Sequence, residues 1–196
     1  TNVVAIDTAG RYPKTSARGH KYIFVMYDRD TNYIYLYPMK SRKSHALVEA
    51  YEHCYKNLVK QGFAAKLLKL DNEISKELVS AITRDRLAYQ TAPPGDHRQN
   101  PAERGIQDVK AHFISVRACA DPTFPKDCWD LLLPHTELTM NLLRPSRLNP
   151  LISAYTMVYG HFDYRKHPLA PAGTRVVVHK RPKDRGTWDD RGTNGF

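Results

Sequence analysis

The sequence predicts an α/β fold in which one mixed five-stranded sheet is flanked by helices. Three strand patterns follow one another at the start of the chain. A long helical segment comes next, and after it strand patterns alternate with helical patterns. This order is typical of mixed α/β layers. The chain has 196 residues, of which 41% are hydrophobic, so it suits one domain with a sizeable core and a short appendage.

The first three strand patterns define one side of the predicted sheet. Residues 3–6 are apolar on both faces, as expected of a central strand. Residues 22–27 and 33–37 are rich in aromatic and β-branched side chains, and the turn-forming residues 28–32 lie between them. These two strands are therefore predicted to form an antiparallel hairpin, with the tyrosine-rich strand at the edge of the sheet.

The later elements complete the sheet and cover it. We predict a helix over 44–61, a strand over 65–70, a helix over 74–82, a strand over 87–90, a long helix after residue 100, helices over 126–143 and 149–159, and a strand over 174–178. The first helix is expected to bury Val59, and the helix over 126–143 is expected to kink at Pro134. The long helix has a core-facing seam formed by Ala102, Ile106, Val109, Phe113 and Val116.

The charge of the chain favours a partner that carries phosphates. Lys and Arg number 30 against 20 Asp and Glu, which gives a formal net charge of +10. The simpler interpretation is a solvated basic surface without a specific partner. The more specific interpretation is a surface that binds nucleic acid or an anionic membrane. No segment is long and apolar enough to span a bilayer, and no basic amphipathic helix is evident, so nucleic acid is favoured.

The cysteines indicate a reducing compartment. Cys54, Cys119 and Cys128 are widely spaced and odd in number, which argues against a disulfide framework. We expect Cys119 and Cys128 to be packing residues. No Cys-x-x-Cys pair occurs, which argues against a structural zinc site.

Three acidic residues are the candidate metal ligands and catalytic residues. Asp7 and Asp71 each end an apolar strand pattern, and Glu103 opens the long helix. A crossover from the third strand to the fourth would return Asp71 to the side of Asp7. Magnesium takes hard oxygen ligands, and two metal ions about 4 Å apart can hold both the attacking and the leaving oxygen of a phosphodiester displacement. Three converging carboxylates would suit that chemistry.

Each of these acids also has a structural interpretation that the residues alone leave open. Asp7 could simply end a strand, and Asp71 could cap the helix that follows it. Glu103 could complete a capping box in which Asn100 is the N-cap. The competing acids in the same region are interpreted as surface charges, namely Glu73, Glu77, Asp85 and Asp96. Asp96 is also a weaker alternative ligand, because it lies in the predicted loop before the long helix.

Several short motifs resemble the catalytic core of integrases from LTR retroelements, particularly copia-type retrotransposons. They are DTAGR at 7–11, GHKY at 19–22, LDNE at 70–73, HRQNPAER at 97–104, Trp129, and NLLRP at 141–145. The segments that carry the acids are the most specific of these. The resemblance implies a ribonuclease-H-like fold and a DDE-type integrase whose metal-binding and catalytic triad is Asp7, Asp71 and Glu103.

The resemblance also implies a cofactor and partners. It implies two Mg²⁺ or Mn²⁺ ions, 3′-end processing and strand transfer of retroelement end DNA into target duplex DNA, a homo-oligomer and a nuclear location, with no membrane or small-molecule partner. Lys110 lies seven residues after Glu103 on the same helix face, where the family uses a basic residue to hold the DNA end. A solvated lysine is the equally weighted alternative. Weaker candidates for contact with DNA are Gln107, Arg98, Gln99 and Arg104.

The sequence departs from the family pattern in two ways. Only 31 residues separate Asp71 from Glu103, a few fewer than in the relatives, and the histidine–cysteine zinc module that precedes such cores is not in this sequence. We expect an integrase catalytic core over 1–167, a basic C-terminal extension over 168–196 that starts a following module, and a chain cut from a longer polypeptide. The alternatives are a transposase or nuclease of the same fold, an inactive element remnant that only binds DNA or proteins, and a generic basic DNA-binding domain.

Overall fold

The structure, a computed structural model, describes residues 2–70, 74–91, 101–167, 169–170 and 174–195. Its strands are β1 Val3–Arg11, β2 Tyr22–Asp28, β3 Ile34–Met39, β4 Leu67–Leu70, β5 Ala88–Thr91, β6 Val176–His179 and β7 Gly192–Gly195. The main sheet has five strands in the spatial order β3-β2-β1-β4-β5, and a separate two-stranded sheet pairs β6 with β7. The predicted mixed five-stranded α/β fold is confirmed, and β7 is the strand that the sequence patterns missed.

The helices are α1 Ser44–Lys60, α2 Lys76–Arg84, α3 Pro101–Cys119, α4 Leu133–Leu143 and α5 Ala154–Tyr159. α5 begins later than predicted because the Ser153 hydroxyl accepts the backbone N–H of Thr156 and caps the helix there. The predicted kink at Pro134 is wrong. Pro134 occupies the first turn of α4, after a 3₁₀ turn at Trp129–Leu132, and a proline is readily accommodated at that position.

The position of β1 explains its apolar sequence. β1 is the central strand, antiparallel to β2 and parallel to β4. The predicted hairpin is confirmed, because β2 pairs antiparallel with β3, and β4 pairs parallel with β5. Parallel neighbours need a crossover connection, which α2 supplies between β4 and β5.

Two hydrophobic clusters lie on opposite faces of the sheet. The first packs α1 and α2 against strand residues that include Val4, Ile6, Phe24, Met26 and Leu68. The second packs α3 and α4 against the alternate strand residues, which include Ile23, Val25 and Tyr27. The predicted seam of the long helix is confirmed, since all five of its residues are buried. In the described part of the chain, no helix combines the length and the apolar character needed to cross a membrane.

Two residues that were expected to pack are instead at the surface. Val59 is 46% exposed, because the last turn of α1 directs Leu58 rather than Val59 toward the sheet. Cys119 is exposed because it is the last residue of α3 and lies beyond the seam, which ends at Val116. Cys128 is partly buried, and Cys54 is buried.

The side chains of α4 cover the free edge of β3. Asn141 Nδ2 donates to the Ile34 carbonyl at 2.8 Å, and Asn141 Oδ1 accepts the Ile34 backbone N–H at 2.9 Å. An edge strand covered in this way does not offer its backbone to another chain. The tyrosine-rich strand is therefore an edge strand, as predicted. Tyr33 and Tyr35 are buried and do not form an open platform for stacking bases.

Candidate metal and nucleic-acid site

Asp7 lies inside β1, although the sequence pattern placed it at the end of the strand. β1 continues to Arg11 because its pairing with β2 extends beyond the apolar residues, through Thr8 opposite Phe24 and, after an irregularity, Arg11 opposite Tyr22. The polar connection between β1 and β2 therefore begins after Arg11. Residues of β1 both before and after Asp7 therefore pair with β2, and this pairing holds the Asp7 backbone in place.

The register of β1 and β2 places Asp7 on the face of the sheet that α3 covers. Asp7 is the direct partner of Val25, and cross-strand partners project from the same face. Val25 packs in the same cluster as Ile106 and Val109 of α3. The Asp7 side chain is partly buried, and its Oδ1 accepts the backbone N–H of Thr8 at 2.6 Å. One carboxylate oxygen is thus oriented by the main chain.

Glu103 lies in the first turn of α3 and is partly buried. The helix approaches the sheet closely at Gly105, where a Cβ would lie 3.5 Å from Ile34 Cδ1 and 3.9 Å from Tyr27 Cβ. Tyr27 pairs with Ala5, two residues before Asp7 on the central strand. The turn that carries Glu103 therefore crosses the sheet in the neighbourhood of Asp7.

Asp71 lies outside the described residues, as does Asn100, the proposed cap of α3. Among the described residues, no group of three or more His, Cys, Asp or Glu side chains is arranged to hold a metal ion. The triad therefore stays a prediction. Asp7 and Glu103 both carry carboxylates, which are hard oxygen donors, and this donor chemistry fits magnesium. Ser75 caps α2, since its hydroxyl accepts the Leu78 backbone N–H at 3.2 Å.

No protein-family model matches the sequence, and no curated protein is significantly similar to it. A chain of the simian T-cell lymphotropic virus intasome, solved with PP2A regulatory subunit B56 gamma, aligns with a TM-score of 0.63 and 15% identity. That alignment covers 97% of this chain, which spans 65% of the length of the viral chain. The HTLV-2 integrase catalytic core with magnesium, in a trimeric form, aligns with a TM-score of 0.59 and 17% identity, over 80% of this chain and 95% of its own. The BIV integrase catalytic core aligns with a TM-score of 0.56 and 12% identity, over 80% of this chain and 93% of its own.

The chain has the fold of retroviral integrase catalytic cores. At 12–17% identity, the similarity is one of fold. The comparisons do not distinguish a copia-type element from other sources. In this integrase-core fold, Asp7 lies on the central strand and Glu103 on the helix that packs over the same face of the sheet.

The basic and polar residues predicted to contact DNA are exposed where the structure describes them. Arg104, Gln107 and Lys110 all lie on the solvent side of α3. Their exposure leaves them available to phosphates, the group that most protein–DNA hydrogen bonds contact. Arg98 and Gln99 lie outside the described residues.

The competing acids differ in their surroundings. Glu77 is exposed, as predicted, and hydrogen bonds from its own backbone N–H and from Ser75 lower the pKa of its carboxyl. Asp85 is partly buried, and its Oδ2 accepts the Tyr51 hydroxyl at 2.9 Å, so it links α2 to α1 and is more than a surface charge. Glu73 and Asp96 lie outside the described residues.

A cavity of about 390 Å³ borders Asp7 and was not predicted. Its lining comes from β1, β2, β4, α1, α2 and the connections before the two helices, and includes Arg42, Leu47, Leu70, Ser75 and Leu78. These residues are distant in sequence, so no local pattern could reveal the cavity.

Proposed function

We propose that this chain is the catalytic core of an integrase from an LTR retroelement of the copia type. Its substrates are the ends of linear element DNA and a target duplex. Water first cleaves near the 3′ end, and the freed 3′-hydroxyl then attacks a target phosphodiester. The first step hydrolyses a phosphodiester, leaving a 3′-hydroxyl on the element and a 5′-phosphate on the released nucleotides. The second step exchanges a target phosphodiester for the one that joins element to target and releases a target 3′-hydroxyl, so no covalent protein–DNA intermediate is required.

The observation that carries this proposal is the shared location of Asp7 and α3 on one face of an integrase-core sheet. Asp7 pairs with Val25 in the cluster that α3 covers, and Glu103 lies in the first turn of that helix. Asp71 follows β4, the parallel neighbour of β1, and parallel neighbours end at the same edge of a sheet. The sequence order of the three acids thus suits one shared site.

The protein residues have separate roles in the proposed reaction. Asp7, Asp71 and Glu103 would hold two Mg²⁺ or Mn²⁺ ions, which when bound supply charge stabilisation to the attacking and leaving oxygens. The Thr8 N–H fixes one Asp7 oxygen before substrate arrives, which reduces the reorganisation needed on binding. Lys110 would bind a DNA phosphate from the exposed side of α3, and Arg104 and Gln107 would support it.

The same proposal extends to the oligomeric state, the cellular location and the partner of the protein. The HTLV-2 core was solved in dimeric and trimeric forms with magnesium, which supports a metal-dependent homo-oligomer here. Joining element DNA to host DNA requires access to chromosomes, so we propose a nuclear location. The net charge of +10 supports DNA as the partner.

The deciding experiment compares Glu103→Gln with the wild type in the joining of a short element-end duplex to a plasmid. Glutamine retains the size of glutamate and serves equally in a capping box, but it removes a metal-ligating charge. We expect joining to be largely lost, while the circular dichroism spectrum and DNA affinity are retained. Magnesium should raise the melting temperature of the wild type, and this rise should be smaller in the variant.

Asp127→Asn is the matched control, because it removes the same charge from a partly buried residue that lies outside the proposed site. It should join DNA like the wild type. If the Glu103→Gln protein joins DNA normally, Glu103 is only a helix cap and the proposed triad is incorrect. If wild-type protein binds DNA but cleaves without joining, a nuclease of the same fold replaces the integrase proposal.

A further inference from the structure

A second cavity, of about 440 Å³, lies at the C-terminal end of α3. Arg117 borders it from the last turn of that helix, about 21 Å from Glu103 at 1.5 Å per residue. The cavity is therefore separate from the proposed metal site. We call it the aromatic pocket, and its walls come from aromatic and proline side chains, namely Tyr12, Phe124, Trp129, Pro13, Pro122 and Pro125.

Hydrogen bonds and ring contacts fix the shape of the aromatic pocket before any partner binds. The rings of Tyr12 and Trp129 stack with their centroids 4.3 Å apart. Trp129 Nε1 donates to the Lys14 carbonyl at 2.8 Å. Arg117 Nη1 donates to the Tyr12 hydroxyl at 2.9 Å, which holds the guanidinium at the rim. A partner therefore binds without the entropic cost of ordering these side chains.

The rim of the aromatic pocket is basic. Lys14, Arg117 and Lys126 line it and are exposed, and none of the ion pairs in the described part of the chain involves them. Asp121 is the one acid among the described lining residues, and its Oδ1 accepts two hydrogen bonds from Thr123. The pocket therefore suits an apolar group with a carboxylate beside it.

The chain itself carries such a group on the connection between β6 and β7. The Trp188 side chain is 98% exposed, and the exposed acids Asp189 and Asp190 follow it. This turn is held locally, because Asp189 Oδ2 accepts the Gly186 backbone N–H at 2.7 Å. Tryptophan combines a large apolar surface with one polar N–H, and it is enriched where proteins contact one another. Trp188 is thus presented outward as an anchor.

Trp188 does not occupy the aromatic pocket of its own chain. Hydrogen bonds from Thr123 and, to a lesser extent, the charge of Arg175 lower the pKa of the Asp121 carboxyl, so Arg175 lies near the pocket. β6 starts directly after Arg175 and ends at His179, about 13 Å further along at 3.3 Å per residue. The connection that carries Trp188 begins beyond that end, and the exposure of Trp188 shows that it has no contact with the pocket.

We propose that the aromatic pocket binds Trp188 of a second copy of this chain, with Asp189 or Asp190 of that copy paired to Arg117. The exchange is reciprocal, because each copy has both the pocket and the tryptophan. Two identical contacts related by a twofold axis therefore form a closed dimer. The inference rests on the homo-oligomer of the proposed function and names one of its contacts.

Charge favours this mode of self-association. Each chain carries a formal net charge of +10, so two copies repel one another over most orientations. A contact that places Asp189 and Asp190 of one copy against the basic rim of the other replaces that repulsion with attraction. A DNA base is less well suited to the pocket, because Tyr12 and Trp129 stack on each other and do not form an open platform for stacking.

The first test measures self-association of the whole chain by sedimentation velocity, without DNA or magnesium, from about 1 to 200 µM protein. The wild type should form a dimer in this range. Two tryptophan contacts bury less than the roughly 1,200–2,000 Å² of a standard stable interface, so the dissociation constant should be micromolar. Trp188→Ala should raise it by roughly tenfold or more, and Arg117→Ala should raise it less.

Two control substitutions remove similar groups elsewhere. Leu151→Ala removes an apolar side chain that is 93% exposed, and Arg29→Ala removes an exposed guanidinium. Arg29 N donates to the Val3 carbonyl at the start of β1, about 26 Å from Arg11 at 3.3 Å per residue, and Arg11 adjoins the pocket residue Tyr12. Each control should change the dissociation constant by less than about twofold.

Mixing two variants distinguishes exchange between copies from a contact within one chain. Trp188→Ala keeps the pocket, and Ala118→Trp keeps Trp188 but fills the pocket, because Ala118 is an exposed lining residue. Circular dichroism should show that both variants are folded. Each variant alone should associate weakly, and an equimolar mixture should associate more tightly through the one contact that remains possible.

The outcomes separate this inference from the proposed function. If the wild type joins DNA as an oligomer that Trp188→Ala does not weaken, the inference alone is overturned. If the mixture associates no more tightly than the variants, Trp188 does not enter the pocket of a second copy and the inference is again overturned. If Arg117→Ala weakens binding to an element-end duplex and leaves self-association unchanged, the pocket is a DNA site and the inference is incorrect. A wild type that dimerises through Trp188 without joining DNA supports the inference, while the proposed function fails.

Discussion

Glu137 on α4 accepts the backbone N–H of Leu36 on β3, with Oε2 at 2.8 Å from the amide nitrogen. Its other oxygen accepts the Tyr33 hydroxyl at 3.0 Å. A carboxylate that occupies the free edge of a strand satisfies donors that would otherwise need water or another chain. Because Glu137 is partly buried there, its ionisation is coupled to the stability of the fold.

The first prediction concerns the pH dependence of stability. Burial raises the pKa of the Glu137 carboxyl from its ordinary value of 4.5 to about 7, and the hydrogen bonds from Leu36 and Tyr33 only partly oppose this. Between pH 4.5 and about pH 7, the folded state therefore binds more protons than the unfolded state. The contribution of Glu137 to stability is therefore fully present below about pH 4.5 and is lost as the pH rises through about 7.

Glu137→Gln should remove this contribution and flatten the fall in the urea midpoint between about pH 4.5 and 7. Glu49→Gln is the matched control, because Glu49 also accepts a tyrosine hydroxyl, from Tyr37, but is exposed. It should keep the wild-type pH profile. An unchanged profile for Glu137→Gln would show that Glu137 remains ionised throughout this range in the folded protein.

The second prediction concerns Asn141, which is fully buried and bonds both backbone groups of Ile34. Asn141→Leu should lower the free energy of unfolding by roughly 2–4 kcal/mol, because it leaves two buried backbone groups without partners. Urea denaturation measures this loss. Asn57→Leu on α1 makes the same chemical change at a partly buried position and should cost less than about 1 kcal/mol. Similar losses in the two variants would contradict the role of Asn141 in covering β3.

Sequence periodicity correctly predicted the helices and strands whose form depends on residues close together in the sequence. The seam from Ala102 to Val116 and the strand pair around the turn at 28–32 are both confirmed. Asp7 was misplaced at a strand end because pairing with β2 carries β1 through the polar residues that follow. Such an extension depends on the partner strand and leaves no apolar pattern. The cavity beside Asp7 and the contacts of Glu137 join residues distant in sequence, so periodicity could not reveal them either.

The third prediction concerns the close approach of α3 to the sheet at Gly105. A Cβ there would lie 3.5 Å from Ile34 Cδ1, which is an ordinary van der Waals contact. Gly105→Ala should therefore fit and raise the free energy of unfolding by about 0.5–1 kcal/mol, because glycine is unfavourable inside a helix. Gly105→Leu should instead lower it by about 1–3 kcal/mol through overpacking against Tyr27 and Ile34. Thermal denaturation of both variants checks this, and a destabilised Gly105→Ala protein would show that α3 lies closer to the sheet.

The fourth prediction concerns Asp130, which anchors the connection between β1 and β2. Asp130 Oδ2 accepts hydrogen bonds from Ser16 Oγ at 3.0 Å and Arg18 Nε at 2.8 Å, and lies 2.5 Å from His20 Nδ1. Burial acts to raise the pKa of this carboxyl, but the bonds from His20, Arg18 and Ser16 outweigh it and hold the pKa below 3.8. Its stabilising contribution is thus present above the ordinary value of 3.8 and is lost as the pH falls through the lower folded-state value.

Asp130→Asn should lower the free energy of unfolding at neutral pH by about 2–3 kcal/mol, because charge-assisted bonds become neutral ones. The difference in free energy of unfolding between variant and wild type should become smaller in acid, as measured by urea denaturation across the pH range. Asp127→Asn removes a nearby carboxylate whose side chain has no part in this cluster and should have little effect. A gap that stays constant into acid would mean that the charge of Asp130 is not what stabilises the connection.

The fifth prediction tests whether Lys110 contacts DNA phosphate or is simply a solvated lysine. Each phosphate neutralised by a protein releases counterions, so the logarithm of affinity falls with the logarithm of salt concentration by about 0.9 per contact on duplex DNA. Lys110→Ala should therefore weaken binding to an element-end duplex and reduce the magnitude of the salt slope by about 1, as measured by fluorescence anisotropy between about 50 and 200 mM salt. Lys56→Ala removes another exposed lysine, from α1 on the opposite face of the sheet, and should leave the slope unchanged. Equal effects of the two substitutions would mean that Lys110 contributes only to the general positive field of the protein, because a long-range field does not depend on which face of the sheet carries the charge.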